Sequence, residues 1–325
     1  MEKMTTVQTP LVETKDLKKY FDVGKNAKLH AVDGINLKIF PGKTIGVVGE
    51  SGCGKSTLGR TILQLISPTG GEVLYKGENI CNCSKRKMKE LHSKMQIIFQ
   101  DPYSSLNPRM TVEDLIAEYM IVAKKVRNRK EAAEEVGRLM DLVGLDRRFG
   151  KAYPHELDGG RRQRIGVARA LSLNPEFIVC DEPVSALDMS IQAQILNLLM
   201  DLQDEMNLAY MFITHDLSVV KHISDEIMVM YLGQCIEKCE TDELFDHPIH
   251  PYTQALLDAL PVPDLSMRQK QINVIHGEIT SPINPKPGCR FAARCPYATE
   301  RCRQEQPPFT EVSPGHFVAC FEKQA

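Results

Sequence analysis

The chain has 325 residues, of which 42% are apolar and 25% charged, with a formal net charge of -2 and ten cysteines. These values are typical of a globular protein with a sizeable core, and the near-zero net charge gives no support for a nucleic acid partner. No run approaches the roughly 18 uncharged apolar residues of a membrane-spanning helix. The first residues, MEKMTTVQTP, lack the apolar stretch of a signal peptide, so we expect a cytosolic location and cysteines that are thiols or metal ligands.

The elements predicted in chain order begin with strands and then alternate between strands and helices. Residues 10–48 show strand and turn patterns, and the helical run LGRTILQLI ends at the PTGG turn, residues 68–71. Between residues 111 and 145 the spacing predicts helices, with one apolar face made by Val136, Leu139, Met140 and Val143. The runs FIVCDEP, AYMFITHD and EIMVMYLG then alternate with a helical segment, which predicts an α/β fold with a mainly parallel sheet.

A phosphate-binding pattern lies at residues 46–57, GVVGESGCGKST, between an apolar strand and a helix. Its glycines allow backbone N–H groups to surround phosphates, and the helix that starts there adds its positive end. Lys55 would reach the β- and γ-phosphates, and the Ser56 hydroxyl would ligate Mg²⁺. The residues expected to line this nucleotide site are Gly49, Ser51, Gly52, Cys53, Gly54, Lys55, Ser56 and Thr57.

Four polar side chains follow predicted strands at their carboxyl ends, where α/β sheets bind ligands. Asp181 and Glu182 follow one buried run, while His215 and Gln100 follow two others. Asp181 suits Mg²⁺ binding, and Glu182 suits orienting or deprotonating an attacking water. Gln100 suits contact with the metal or water and sensing of the γ-phosphate. The pattern therefore predicts a hydrolytic phosphate site.

At these residues the chain resembles the ATP-binding subunits of ABC transporters, specifically the ATPases of dipeptide and oligopeptide importers. The resemblance covers essentially all 325 positions. It implies a P-loop NTPase fold of ABC type, α/β, with a mainly parallel sheet core, an N-terminal antiparallel β part and a helical insert. It also implies an ABC ATPase domain at 8–260, with a helical subdomain at about 104–172, and a small Cys-containing C-terminal extension at 261–325.

The resemblance also implies roles for single residues, with ATP and Mg²⁺ as ligands. Phe21 would stack on adenine, with Tyr20 as the substitute and ordinary core packing of Phe21 as the alternative. The Q-loop glutamine, the Walker B aspartate, the catalytic carboxylate and the switch histidine are, in this order, Gln100, Asp181, Glu182 and His215. The D-loop consists of Ser185, Ala186, Leu187 and Asp188.

The segment LDGGR departs from the family's signature, which is typically LSGGQ and closes over the ATP of the partner subunit. Here it comprises Asp158, Gly159, Gly160 and Arg161, so that aspartate replaces serine and arginine replaces glutamine. Aspartate caps a helix as well as serine does. Its carboxylate, however, would face the γ-phosphate, and two unit charges 4 Å apart at an effective dielectric of 20 repel by about 4 kcal/mol.

These two replacements lead us to expect an asymmetric heterodimer with a second, different ABC ATPase. The site built on this chain's Lys55, Glu182 and His215 would hydrolyse ATP, and the site closed by Asp158 would be impaired. The alternative is a tolerated variant, in which Arg161 compensates by pairing with Asp158 or by contacting phosphate.

Four cysteines near the C-terminus, Cys289, Cys295, Cys302 and Cys320, have the spacing C-x5-C-x6-C-x17-C. Four thiolates can hold Zn²⁺ or an iron–sulfur cluster, but this spacing matches neither short zinc pairs nor ferredoxin runs, so free thiols remain open. The segment HPIHPYTQALLDALP, residues 247–261, resembles the C-terminal extension of the peptide-importer ATPases, which implies a [4Fe-4S] cluster.

Taken with the resemblance, these features predict the energy-coupling subunit of a peptide importer. The expected partners are two membrane permeases, gripped by residues 111–145 and the loop after Gln100, and an extracytoplasmic substrate-binding protein. We expect a peripheral location at the cytoplasmic face of the membrane. The alternatives are an importer for nickel or another small solute, a soluble non-transport ABC ATPase, and a small-molecule P-loop kinase.

Overall fold

A computed structural model describes residues 9–260, 277 and 280–322 of the protein. Residues 1–8, which belong to the segment that predicts the absence of a signal peptide, lie outside the described residues. The predicted domain boundary at residue 261 also falls outside them, and it stays a prediction.

The strands that are described are β1 (Val12–Gly24), β2 (Ala27–Ile39), β3 (Thr44–Val48), β4 (Gly70–Tyr75), β5 (Glu78–Asn79), β6 (Met95–Ile98), β7 (Phe177–Asp181), β8 (Ala209–Ile213), β9 (Glu226–Tyr231), β10 (Gln234–Glu240), β11 (Thr310–Ser313) and β12 (His316–Val318). The α-helices are α1 (Lys55–Ile62), α2 (Lys85–Lys94), α3 (Pro102–Ser105), α4 (Val112–Val122), α5 (Arg129–Leu142), α6 (Gly159–Leu171), α7 (Met189–Met206), α8 (Leu217–Ile223), α9 (Thr241–Asp246), α10 (Pro251–Asp258) and α11 (Glu300–Gln304). Short 3-10 helices lie at Arg147–Lys151 and Pro154–Glu156. Within the described ranges, no helix has the length and apolar character needed to cross a membrane.

The chain folds into two compact units. The first contains the described residues up to Glu13, together with Lys38–Lys43 and Leu74–Ile213, and the second contains Thr14–Leu37, Thr44–Val73 and the described residues from Thr214 onwards.

In the first unit β6, β7 and β8 form a parallel sheet in which Cys180 of β7 is in register with Ile98 and Phe212. Every residue of β7 and β8 is buried, as expected for parallel strands covered on both faces. Helix α4 contacts α5 and α6 in the same unit. The predicted apolar face of α5 and the residue after it is confirmed, because all four of its members are at most 2% exposed: Val136, Leu139, Met140 and Val143.

In the second unit β3 pairs in parallel with β9, and β9 pairs in antiparallel fashion with β10. The turn between β9 and β10 is made by Leu232 and Gly233, both with positive φ. Strand β12 then pairs with β10, and β11 with β12. The end of the chain therefore extends the sheet of this unit. Most of β1, β2 and β4 also belongs to this unit, where they are neighbours in the order β2, β1, β4.

A buried ionisable network attaches β12 to the second unit. Glu237 of β10 is fully buried and accepts hydrogen bonds from the backbone N–H groups of Ile249 and His250, at 2.7 and 2.9 Å. His316 of β12 lies 2.8 Å from the Glu237 carboxylate through Nε2 and 3.4 Å from Glu243 through Nδ1. The hydrogen bond to Glu237 holds the pKa of His316 above its usual value, whereas burial lowers the pKa of His250 to about 4.

This network predicts a stability that falls with rising pH. A histidine whose pKa is raised by folding contributes stability that is complete below about pH 6.5 and is lost as pH rises through the folded-state pKa. We expect the free energy of unfolding in urea to decrease as pH rises above about 6.5, the ordinary histidine pKa, and His316→Gln to flatten this dependence. The control is His222→Gln on the exposed face of α8. An unchanged slope in His316→Gln would show that this network does not set the pH dependence.

Candidate nucleotide site

The predicted phosphate loop connects β3 to α1 in the second unit, and two of its corners require glycine. Gly49 has φ 149°, and a Cβ built there would lie 2.2 Å from the carbonyl oxygen of Met230. Gly54 has φ 107°, and its Cβ would lie 1.9 Å from the carbonyl oxygen of Ala31. Both the left-handed backbone and the close approach of another backbone therefore exclude larger residues.

The phosphate loop presents both the ammonium group of Lys55 and the backbone N–H groups at the start of α1. Lys55 is 5% exposed, and its Nζ donates hydrogen bonds to the carbonyl oxygens of Gly49 and Glu50 at 2.7 and 3.0 Å. Helix α1 starts after Gly54 with no side-chain cap and no acidic residue in its first turn. Because a helix N-terminus favours anions, the loop combines an ammonium group with backbone donors suited to phosphate.

The two aromatic residues of β1, Tyr20 and Phe21, have different surroundings. Tyr20 stacks on His30 with ring centroids 3.8 Å apart, and its hydroxyl donates a hydrogen bond to Asp33. Phe21 is half-buried, with the ammonium of Lys19 4.9 Å from its ring centroid. Successive side chains of a strand point to opposite faces. Since the Tyr20 ring already has a stacking partner, the geometry favours Phe21 as the adenine contact, and that role stays a prediction.

In the first unit the structure brings Gln100 and Glu182 together. The Gln100 side-chain amide donates a hydrogen bond of 2.9 Å to the Glu182 carboxylate. Asp181, the last residue of β7, is 2% exposed. Glu182 has φ 49°, a left-handed conformation that costs a non-glycine residue roughly 1–2 kcal/mol. Strain of this kind is concentrated at functional positions, where surrounding bonds such as Glu182 N–H to Ile213 O at 2.9 Å maintain it.

The start of α6 lies against the predicted D-loop within the first unit. A Cβ at Gly159 would lie 3.1 Å from the Leu187 side chain, and one at Gly160 would lie 2.6 Å from that of Ile191. Asp188 caps α7 by accepting a hydrogen bond from the N–H of Ile191 at 3.1 Å. The two glycines therefore allow this helix start to pack closely against the D-loop and the first turn of α7.

Asp158 caps α6 as the sequence predicts. Its Oδ1 accepts a hydrogen bond of 2.8 Å from the N–H of Arg161, while its Oδ2 lies 2.9 Å from the Arg161 guanidinium. That guanidinium also lies over the ring of Phe149, 4.6 Å from its centroid. A surface cavity of about 300 Å³ at this helix start is lined by Arg148 and Arg164 in addition to Asp158 and Arg161. Arg161 thus pairs with Asp158.

His215 is exposed and lies two residues after the end of β8. Its role, like those of Gln100, Glu182 and the D-loop, stays a prediction.

The four C-terminal cysteines lie in one neighbourhood without forming a ligand set. The N–H of Cys289 donates to the carbonyl oxygen of Cys302 at 2.7 Å. Burial raises the pKa of the Cys289 thiol to about 11, and the charges of Cys302, Cys295 and Cys320 act on it in the same direction. Among the residues that the structure describes, however, no group of three or more His, Cys, Asp or Glu side chains is arranged to hold a metal ion. The geometry of the four thiols therefore gives no support to the [4Fe-4S] cluster or the Zn²⁺ expected from the sequence.

Sequence reasoning missed a contact between the phosphate loop and this Cys-rich segment. Arg294 forms two hydrogen bonds with the Glu50 carboxylate, at 2.8 and 2.9 Å, and the N–H of Glu50 donates to the Tyr252 hydroxyl at 2.9 Å. Arg294 is separated from Glu50 by 244 positions, so local spacing carries no signal for it.

Comparison with known proteins identifies the family of the chain. The family model for ABC transporters matches residues 32–185, and a second model, for the C-terminal region of oligopeptide and dipeptide transporters, matches residues 236–302. The structure is similar to cbiO1 from Clostridium perfringens, part of the ABC transporter complex cbiONQ, with a TM-score of 0.65 and 25% identity over 74% of this chain and 92% of that one. It is also similar to the ATP-binding cassette MJ0796 bound to ADP and Pi, with a TM-score of 0.64 and 27% identity over 71% and 98%.

These findings define the chain as an ATPase of the ABC transporter class, with the P-loop fold that the sequence predicts. Among the relatives, the putative oligopeptide transport ATP-binding protein YkfD of Bacillus subtilis is 52% identical over 96% of this chain and 95% of its own length. The dipeptide transport ATP-binding protein DppF of Haemophilus influenzae is 49% identical over 96% and 97%. The chain belongs to the family of oligopeptide and dipeptide transport ATP-binding proteins.

Proposed function

We propose that the chain drives uptake of dipeptides or oligopeptides as the energy-coupling ATPase of a membrane importer. The observation that carries this proposal is similarity over nearly the whole length to ATP-binding proteins of peptide transport, including a C-terminal region at residues 236–302 that follows the part matched by the ABC transporter model. The partners are two membrane permeases and an extracytoplasmic substrate-binding protein. The permeases hold the chain at the cytoplasmic face of the membrane.

In the proposed mechanism, Lys55 and the backbone N–H groups at the start of α1 bind the phosphates of ATP. When bound, Mg²⁺ would be held by Ser56, Asp181 and Gln100 and would supply positive charge to the phosphates. Glu182 accepts a proton from the attacking water, and the hydrogen bond from Gln100 orients its carboxylate for this. His215 contacts the γ-phosphate.

Coupling to the permeases runs through the segment that follows Gln100. Asp101 accepts a hydrogen bond from the N–H of Tyr103 at 2.8 Å, and Arg169 of α6 donates one of 2.6 Å to the carbonyl oxygen of Ser105. The side chain that contacts Glu182 is thus linked through a short bonded loop to the helix that begins with the signature. We propose that this loop and α4 and α5 contact the permeases, so that loss of the γ-phosphate moves them.

Uptake measurements test the proposal. In cells that depend on peptide import, we expect Lys55→Ala to abolish ATP-dependent peptide uptake, because the phosphates lose their main cationic contact. Lys85→Ala, on the exposed part of α2, is the control and keeps normal uptake. If Lys55→Ala abolished uptake of nickel or another small solute and left peptide uptake unchanged, the proposed cargo would be contradicted. Association of the purified chain with no permease would contradict the transport function.

We also propose that the chain works beside a different ATPase and impairs the ATP site that it closes. The Asp158 carboxylate is 56% exposed at the start of α6, where the partner's γ-phosphate would lie. An exposed ion pair such as Asp158 with Arg161 contributes only about 0–1 kcal/mol. The pair is therefore weakly held, and its carboxylate alone would repel a phosphate at contact distance by about 4 kcal/mol, against which the attraction of the Arg161 guanidinium acts.

Turnover of the assembled transporter separates the two ATP sites. We expect Glu182→Gln in this chain to lower ATP turnover by about a hundredfold, because the functional site loses its general base. Adding Asp158→Ser should restore part of the turnover through the other site, whereas adding the control Asp146→Ser should not. Equal loss of turnover from Glu182→Gln and from the matching change in the partner subunit would contradict the asymmetry.

A metal site at the four C-terminal cysteines is proposed on the resemblance and on their common neighbourhood, although their side chains are not arranged as ligands. Anaerobic purification and metal analysis test it. We expect iron and sulfide at about four atoms each per chain, lost in Cys295→Ser and kept in Cys235→Ser. Protein that contains zinc and no iron, or that contains neither, would contradict the cluster.

A further inference from the structure

The C-terminal segment from Cys289 to Cys295 is held in the core of the second unit by one aromatic side chain. Phe291 is 2% exposed and meets the rings of Tyr231 and Tyr252 edge-on, at centroid distances of 5.3 and 5.4 Å. The N–H of Arg294 donates to the carbonyl oxygen of Phe291 at 2.9 Å, which makes a tight turn. Burial of an aromatic ring in such contacts fixes the turn and the side chains on it.

This turn directs two arginines toward the predicted nucleotide site. Arg294 is 8% exposed and forms a two-pronged ion pair with the 24% exposed carboxylate of Glu50, inside the phosphate loop. Arg290 is 6% exposed and donates hydrogen bonds to Asp33 and to the carbonyl oxygen of Leu232. Asp33 accepts the hydroxyl of Tyr20, which precedes the predicted adenine contact on β1.

Glu50 is the better defined of the two contacts, because three different groups bind it. Its N–H donates to Tyr252, its carbonyl oxygen accepts from Lys55 and its carboxylate accepts from Arg294. Lys55, the predicted phosphate ligand, therefore shares a residue with the Cys-rich segment. Without Arg294, a carboxylate within the phosphate loop would carry an uncompensated negative charge beside the phosphates.

We propose that Arg294 is a positioning residue for nucleotide binding: it neutralises Glu50 and fixes the phosphate loop, so that the C-terminal segment sets the affinity for ATP. The inference rests on the proposed nucleotide site at Gly49–Thr57. Arg294 acts through Glu50. Its effect therefore depends on the charge of Glu50 and grows with the charge of the bound phosphates.

ATP binding to the full-length chain, measured by titration with a fluorescent ATP analogue, tests the proposal. We expect Arg294→Ala to weaken ATP binding about tenfold, because one member of a hydrogen-bonded charge pair is left unpaired. The KM for ATP should rise by the same factor, while kcat at saturating ATP stays within about twofold. Arg294→Lys keeps the charge but loses the two-pronged geometry, and should lie between Arg294→Ala and the wild type.

The double variant separates an electrostatic role from a merely structural one. In Glu50→Gln/Arg294→Ala the repelling charge is absent, and we expect affinity within about threefold of the wild type, since contacting residues are strongly non-additive. Glu50→Gln alone should bind ATP at least as tightly as the wild type. The Arg294→Ala change should weaken the binding of ADP less than the binding of ATP. A double variant as weak as Arg294→Ala, or an Arg294→Ala that binds like the wild type, would overturn the proposal.

Two further variants distinguish a failure of the Arg294 proposal from a failure of the proposed nucleotide site. Arg303→Ala removes an exposed arginine of α11 from the same C-terminal region and should leave ATP binding unchanged. If Lys55→Ala binds ATP normally, the nucleotide site itself is misplaced. If Lys55→Ala loses binding while Arg294→Ala does not, only the positioning role of Arg294 fails.

Discussion

The phosphate loop keeps its shape because its backbone lies directly against the backbone of neighbouring segments. Gly49 and Gly54 leave no space for a Cβ beside the carbonyl oxygens of Met230 and Ala31, and the carbonyl oxygen of Cys53 accepts a 2.7 Å hydrogen bond from Gly233. A loop packed this closely cannot adjust continuously to a ligand. Lys55, Glu50 and the start of α1 are consequently held in place before any phosphate binds, which lowers the cost of binding.

The predicted hydrolytic residues are also restrained, by backbone conformation and by a side-chain hydrogen bond. Glu182 is held in a left-handed backbone conformation at the end of a fully buried strand, and its side chain is bound by Gln100. The loop after Gln100 is in turn bonded to α6 through Arg169. Hydrogen bonds therefore connect the Glu182 carboxylate to the helix that Asp158 caps.

Sequence patterns predict an element when its buried residues recur at a regular spacing. They do not predict an element that lacks such a spacing. The apolar face of α5 was predictable because its residues recur at helical spacing and all of them are buried. Helix α2 has no such stripe, since Leu91 is its buried residue, and β11 is exposed along most of its length. The pairing of β12 with β10 depends on residues some 80 positions apart, and its buried partners Glu237 and His316 are polar. Hydropathy carries no information about such pairs.

The sequence by itself determined the ABC ATPase class, the phosphate loop, the polar residues at the strand ends and the capping of α6 by Asp158. Each of these depends on residue types at short, fixed spacing, which local backbone geometry converts directly into structure. Only the tertiary structure decided that Tyr20 is stacked on His30, that Arg161 pairs with Asp158, that the four cysteines are not arranged as metal ligands and that Arg294 reaches Glu50. These outcomes depend on which rotamers and distant segments the packed core brings together, and no local pattern encodes them.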